Sequence, residues 1–360
     1  MDIKKAALLF AIMVLAVGCT SAPVTVTSLE NANIQPATST PPESYKFTIA
    51  ASADWYTEGH GLSEEINIKI PSISSDVKET ASLMESVDIL TSGKAGLVFV
   101  YDYHVILANQ GALMNAFPDA PIEKITIKCG TEMTRPMFPD YAEAARIVLP
   151  LYEEQFSIVV SEASGIISVN ELKGKHISTG EAGSATEQQA RFIFAGLGID
   201  WETEISHEQF ELSTAIRALT NGEIEAFLWS GYSPNTELSA MLRSSDAKFK
   251  LIPIREDEAE IILHASPGIF HQSRIPAGTY ASIQGDTATL ATTVVLAAME
   301  DFPEESTAQI LTVLFAPSSA TWKSRYSTNP ETSIAFLNVQ TQSFLHQGAV
   351  DYFTEQRVLK

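Results

Sequence analysis

Between Ser164 and Glu187 the chain reads SGIISVNELKGKHISTGEAGSATE, a β-branched run, a glycine-rich turn and a helix start in succession. That order ties the stretch to an α/β fold. His176-Ile177-Ser178-Thr179 is the expected strand, and Gly180, Gly183, Ser184 and Thr186 fall where the backbone turns and the next helix begins. Backbone N–H groups without intrahelical acceptors, the positive end of the helix dipole and two hydroxyls would then converge on one small volume. A carboxylate fits there. An ordinary strand-to-helix turn in which Ser184 merely caps the helix fits the same residues, and the segment alone leaves both readings open.

The rest of the chain alternates short β-rich runs with helix-length amphipathic stretches. The expected order is a strand at Phe47–Ala50, a helix around Gly59–Glu65, a strand at Ile66–Ile70, a helix over Glu79–Leu90 and a buried apolar strand at Ala95–Val100. Tyr101-Asp102-Tyr103 follows that last strand, and in open α/β sheets ligands sit beyond the carboxyl ends of strands. Further on come a strand at Ile158–Val160, a capped turn at Ser168–Leu172, a helix from Thr186 to Leu197 closed by Gly198, a helix from Leu212 to Leu219, and a strand from Ile224 to Trp229. Ser230-Gly231-Tyr232-Ser233-Pro234 continues from this strand, so two strand ends, at Gly180 and Trp229, present small and hydroxyl-bearing residues that would face each other across a cleft. Cys129 to Asp140, with Arg135-Pro136 and Phe138-Pro139, reads as an irregular loop.

Upstream, Lys4 and Lys5 precede twelve consecutive apolar residues from Ala6 to Val17 and then Gly18-Cys19. The run is short for a membrane span, which needs about 20 residues, and it has the form of a secretory signal peptide over 1–18. Leu15-Ala16-Val17-Gly18-Cys19 resembles a bacterial lipobox, in which Cys19 becomes the lipidated first residue; soluble periplasmic export is the alternative. Thirteen Ser, Thr or Pro residues among the 25 from Thr20 to Ser44 mark a flexible linker, with a reach of about 25–30 Å. Cys129 is the second of two cysteines, so a lipidated Cys19 leaves no disulfide, and stability must come from a core that residues 45–360 are long enough to build as two lobes. The net charge of −21 repels nucleic acid and anionic lipid.

Chemistry-bearing motifs are missing. The chain has no Gly-x-Ser-x-Gly elbow, no HExxH pair, no phosphate loop ending in Gly-Lys-Ser/Thr and no dinucleotide fingerprint. The seven histidines lack metal-ligand spacing and the acidic residues lack EF-hand spacing. No catalytic residue, cofactor or metal site is assigned, and the expected role is binding rather than turnover. Asp54, just after the first strand, is placed to accept a ligand ammonium or stands as a solvated loop residue.

Several strings together resemble the extracytoplasmic solute receptors of tripartite ATP-independent (TRAP) transporters, TAXI subfamily. They are Leu151-Tyr152 with Glu154, Ser164-Gly165-Ile166 through Leu172-Lys173-Gly174-Lys175, Gly183-Ser184 with Thr186-Glu187, Ile275 to Tyr280, and His346-Gln347-Gly348-Ala349 with Tyr352. The resemblance, from Phe47 to the C-terminus, implies an α/β, two-lobed type II periplasmic-binding-protein fold with a ligand cleft between lobes, residues 45–155 and 284–360 forming one lobe and 156–283 the other. It also implies capture of a small carboxylate or amino-acid-like solute for a membrane permease. Carried over by position, Gly183, Ser184 and Thr186 would hold a carboxylate, Trp229, Ser230 and Gly231 would supply a wall from the same lobe, and Tyr56, Tyr101 and Asp102 would come from the other lobe.

The first lobe departs from that pattern. Ala51-Ser52-Ala53-Asp54-Trp55-Tyr56 stands where the family has a longer, glycine-rich loop, which makes close backbone approach harder. Asp54 and Trp55 together would favour a cation through charge and a π face. The alternatives are an ABC-type substrate-binding protein of the thiamine-precursor or sulfonate kind, which has a similar fold, a ligand-sensing lipoprotein, and a secreted enzyme on a binding-protein scaffold.

Overall fold

The computed structural model describes residues 45–116, 144–243, 248–316, 329–337 and 339–359. The expected signal peptide, Cys19, the linker and the Cys129–Asp140 segment lie outside them.

The strands are β1 (Tyr45–Ser52), β2 (Ile73–Thr80), β3 (Leu97–Tyr101), β4 (Ala145–Ser161), β5 (His176–Ser178), β6 (Ser206–Glu208), β7 (Ala226–Gly231), β8 (Phe249–Ile252), β9 (His271–Ile275) and β10 (Thr287–Met299). The helices used below are α1 (Tyr56–Lys69), α2 (Leu83–Thr91), α3 (Asp102–Ala116), α4 (Ala185–Gly196) and α5 (Leu212–Asn221). Shorter helices and a C-terminal group, Glu304–Phe315 and Gln347–Glu355 among them, complete the described elements.

Among the described residues these ten strands join one sheet in the order β2-β1-β3-β10-β4-β7-β5-β6, with β8 on β4 and β9 on β10. β1 runs parallel to β2 and β3, whereas β10 runs antiparallel to both β3 and β4. β5 is parallel to β6 and β7. Parallel neighbours need crossover connections, which α1 and α2 supply in the first half of the sheet and α4 and α5 in the second. The two long strands link the halves: β4 pairs with β10 through Gln155 and then with β7 from Gln155 to Val160, and β10 pairs with β9 at its start and with β3 near its end. This is a mixed α/β architecture whose two halves are joined into one continuous sheet through β4 and β10.

One expected element is overturned. Ile66 to Lys69 is the last turn of α1, Ile70 caps it, and the strand comes later, at Ile73–Thr80. Leu62 and Ile66 are fully buried and Ile70 nearly so, while Ile68 is 69% exposed. The apolar spacing that counts is therefore four residues, the spacing of one helix face, and not the two-residue alternation of 66, 68 and 70. The helix expected from Glu79 starts instead at Leu83, because Ser82 Oγ accepts the Glu85 N–H while the Glu85 carboxylate accepts the Ala81 N–H, a reciprocal cap that fixes the boundary. β3 is buried at every position, as its continuous apolar pattern required.

Candidate functional site

A cavity of about 610 Å³ opens where β3, β4, the β5–α4 turn, the start of α5 and the end of β7 meet. Asp54, Tyr101, Tyr152 and Glu154 line it from the β1, β3 and β4 side, and Gly180, Glu181, Ser184, Thr186, Glu211, Trp229, Ser230, Gly231 and Tyr232 are among those lining it from the other.

The β5–α4 turn is built as an orthodox helix cap that also forms cavity wall. Ser184 Oγ accepts the Glu187 N–H at 3.2 Å, and the Glu187 carboxylate reaches back to the Gly183 N–H at 2.6 Å. Arg191 and Gln209 hold the same carboxylate, at 2.8 Å each. The chain's own acid thus takes one amide of the loop, while Ser184, Ala185 and Thr186 face the cavity. Thr186 Oγ1 accepts the Ser230 N–H at 3.0 Å, tying α4 to the end of β7. Gly180 has φ +92°, and a Cβ there would lie 2.6 Å from Thr186 Cβ, so this turn admits only glycine. Gly231 is excluded from change by a neighbour: a Cβ would stand 2.2 Å from the Trp229 ring, which lies across it.

The two strand ends at Gly180 and Trp229 do not oppose one another. β5 and β7 are adjacent parallel strands, with Ser178 paired to Phe227, so their ends form one continuous wall. The opposite side belongs to a buried network. Tyr101 donates its hydroxyl to Glu154 Oε2 at 2.6 Å, Tyr152 donates to Oε1 at 3.4 Å, and Trp55 Nε1 donates to the Tyr152 hydroxyl at 3.0 Å. Burial first, and then the Glu154 charge, lift the Tyr101 phenol well above its usual range, so it stays a donor. Tyr152 and Tyr232 meet edge-on at 5.7 Å between centroids.

Seven of the ten ligand-contact residues expected from the sequence reach this cavity: Asp54, Tyr101, Ser184, Thr186, Trp229, Ser230 and Gly231. Three do not. Tyr56 sits in the first turn of α1 with its ring edge-on to His60, because the short loop after β1 turns straight into helix. Asp102 is buried at the start of α3, and its Oδ1 accepts the N–H groups of Tyr103 and Thr293 at 2.9 and 3.2 Å. Gly183 has given its N–H to Glu187.

Tyr152 and Glu154 are prominent in the cavity and carried no site role from sequence. Their signal was the alternation along β4, which aims residues 152 and 154 to one face. Glu181, Glu211 and Tyr232 sit in connections whose meeting only the tertiary fold reveals. Among the described residues no group of three or more His, Cys, Asp or Glu side chains is arranged to hold a metal ion, and no helix is long and apolar enough to cross a membrane.

The described residues form a mixed α/β sheet with a walled cavity where β3, β4, the β5–α4 turn and β7 meet. The chain belongs to the NMT1-like family, whose model matches residues 137–356. Solved structures similar to it include XAC2383 from Xanthomonas citri bound to ATP, 9% identical with a TM-score of 0.47 over 88% of this chain and 100% of that one. The periplasmic aliphatic sulphonate binding protein SsuA from Escherichia coli is 14% identical, with a TM-score of 0.41 over 88% and 94%. A putative sulfonate ABC transporter protein, SsuA from Methylobacillus flagellatus KT, is 12% identical, with a TM-score of 0.45 over 88% and 96%.

Proposed function

We propose that this protein is an extracytoplasmic solute receptor that captures a small organic molecule between its lobes and delivers it to a membrane permease. The observation that carries this reading is the cavity of about 610 Å³ walled by both halves of a sheet joined through β4 and β10, a volume within the roughly 300–1,000 Å³ of small-molecule sites. Lobes of residues 45–155 with 284–360 and of residues 156–283 would close by hinging on those strands. The leader and Cys19 support export and lipid anchoring beside the permease. The receptor acts without turnover.

The NMT1-like family supports an ABC-type importer better than a tripartite one. A TRAP permease of the TAXI kind is the second reading, favoured by the strings around Leu151-Tyr152, Gly183-Ser184 and His346-Gln347-Gly348. Uptake into vesicles carrying the cognate permease separates them: import that needs ATP hydrolysis removes the tripartite reading, and import driven by an ion gradient without ATP removes the ABC one.

Thermal shift tests the receptor itself. A ligand at a hundredfold excess over its dissociation constant adds about 2.7 kcal/mol to the folded state. A rise in melting temperature confined to one chemical class is the expected result, and no rise across amino acids, dicarboxylates, sulfonates, amines and aromatic acids, with co-purified ligand removed by refolding, would sink the proposal.

A further inference from the structure

His104 stands fully buried where α3 meets α4, outside the cavity lining. Both of its ring nitrogens are engaged. Nδ1 lies 3.3 Å from the Tyr101 backbone nitrogen and Nε2 lies 3.1 Å from Gln188 Oε1. A backbone N–H only donates, so Nδ1 is the acceptor and the hydrogen sits on Nε2; the arrangement suits the neutral ring alone. Tyr103 adds to the same contact: its hydroxyl donates to Gln188 Oε1 at 3.3 Å, and its ring meets Phe192 of α4 edge-on at 6.2 Å between centroids.

No carboxylate pairs with this imidazole. On its own segment Asp102 accepts the N–H groups of Tyr103 and Thr293. On β4, Arg146 bonds Asn109 and Glu300, Glu153 bonds His271, and Glu154 bonds Tyr101. β10 and Val339–Gln342, which also pack on α3, carry no titratable side chain. The charged residues of α4, Glu187 and Arg191, bond each other. Burial therefore dominates, lowering the ring from 6.5 to about 4 against the opposing effect of the Gln188 bond.

Resting on the receptor reading, in which α3 belongs to one lobe and α4 to the other, we infer that His104 and Gln188 form an acid-sensitive latch: the neutral imidazole holds α4 on α3, and a proton taken up at Nδ1 releases it. Protonation sets an N–H of the ring against the Tyr101 N–H and leaves a buried cation with neither water nor a carboxylate. Withdrawal of α4 lets water reach the ring. The closed form binds fewer protons than the open one, so closure is favoured fully above pH 6.5 and weakens by up to about tenfold per pH unit as pH falls towards 4. Ser184 and Thr186, which line the cavity from the start of α4, move with the helix, so acid frees the solute.

Small-angle scattering of the full chain from about pH 7.5 down to about pH 4, with far-UV circular dichroism on the same samples, tests the latch without reference to the solute. The radius of gyration is expected to rise reversibly over that range while secondary structure stays constant. His104→Gln can accept from Tyr101 and donate to Gln188 but does not titrate, and should stay compact throughout; Gln188→Ala should be expanded at both ends. A constant radius in the parent chain would overturn the latch, as would expansion that comes only with loss of secondary structure. Expansion of His104→Gln over the same range as the parent would assign the effect to another group and overturn it too. The parent profile decides by itself should His104→Gln not fold. Each of these failures leaves the receptor reading standing, because the thermal-shift panel tests that reading at neutral pH.

Discussion

The Tyr101 hydroxyl donates to Glu154 Oε2 at 2.6 Å across 53 residues of sequence, fastening the end of β3 to the long strand β4 that joins the two halves of the sheet. A hydrogen bond to a charged group contributes about 1.5–3 kcal/mol net. Tyr101→Phe should therefore destabilise the fold by roughly that amount. In a double-mutant cycle with Glu154→Gln, denaturant unfolding should give a coupling energy of about 1 kcal/mol or more. Additivity within about 0.5 kcal/mol would mean that the contact holds nothing together.

Trp229 depends on the absence of a side chain two residues later. In Gly231→Ala the new Cβ would meet the indole at 2.2 Å, and the backbone of β7 is held by its ladder to β4, so the ring must swing away. Overpacking of this kind costs about 1–3 kcal/mol. The expected outcome is a lower melting temperature, altered tryptophan emission and weakened solute binding. At Gly180 the positive φ and the Thr186 contact act together, so Gly180→Ala should cost more than Gly231→Ala; the opposite order in urea midpoints would refute the geometry described for the β5–α4 turn.

Asp102 and His104 pull stability in opposite directions with pH. Burial lifts the Asp102 carboxyl from 3.8 to about 7, so the native state keeps a proton that the unfolded chain loses. Its contribution is full below pH 4 and is lost as pH rises through 7. Burial lowers His104 from 6.5 to about 4, so its contribution is full above 6.5 and is lost as pH falls through 4. Between those limits the two slopes, each at most about 1.4 kcal/mol per pH unit, largely cancel. Asp102→Asn keeps an acceptor for the Thr293 N–H and should leave stability rising with pH between 4 and 6.5. His104→Gln should leave it falling over the same window. Parallel unfolding profiles for the two variants would contradict both assignments.

What the sequence disclosed was the locally encoded part of this arrangement. The start of α4 was legible because Ser184, Glu187 and the flanking glycines carry their meaning within one turn, and β3 because five consecutive apolar residues need cover on both faces. Ile66–Ile70 misled because three isoleucines at alternate positions mimic a strand, whereas burial of Leu62 and Ile66 on one helix face decides the outcome. Glu154 shows the other limit. Tyr101, which bonds it, comes from β3, and Trp55, which bonds Tyr152 beside it, comes from the turn after β1, and only the register of β10 between β3 and β4 brings those segments together.

Gln188 joins α4 to α3 and offers a direct test of the proposed lobe closure. Its Oε1 lies 3.3 Å from the Tyr103 hydroxyl and 3.1 Å from His104 Nε2. His104 Nδ1 accepts the Tyr101 N–H, so in the neutral ring Nε2 carries the hydrogen and donates to Gln188, as does the phenol of Tyr103. The adjacent Gln189 bonds Thr292 on β10 at 3.1 Å, beside the segment on which the lobes would turn. Two neutral hydrogen bonds are together worth about 2 kcal/mol, equivalent to more than tenfold in a closure equilibrium. Gln188→Ala should shift the population towards an open form, seen as a larger radius of gyration by small-angle scattering and as weaker solute binding with faster release. Gln188→Glu retains the acceptor for both donors and should stay compact. A scattering curve for Gln188→Ala identical to that of the parent protein would show that closure is held by the remaining contacts between the lobes and not by this pair of bonds.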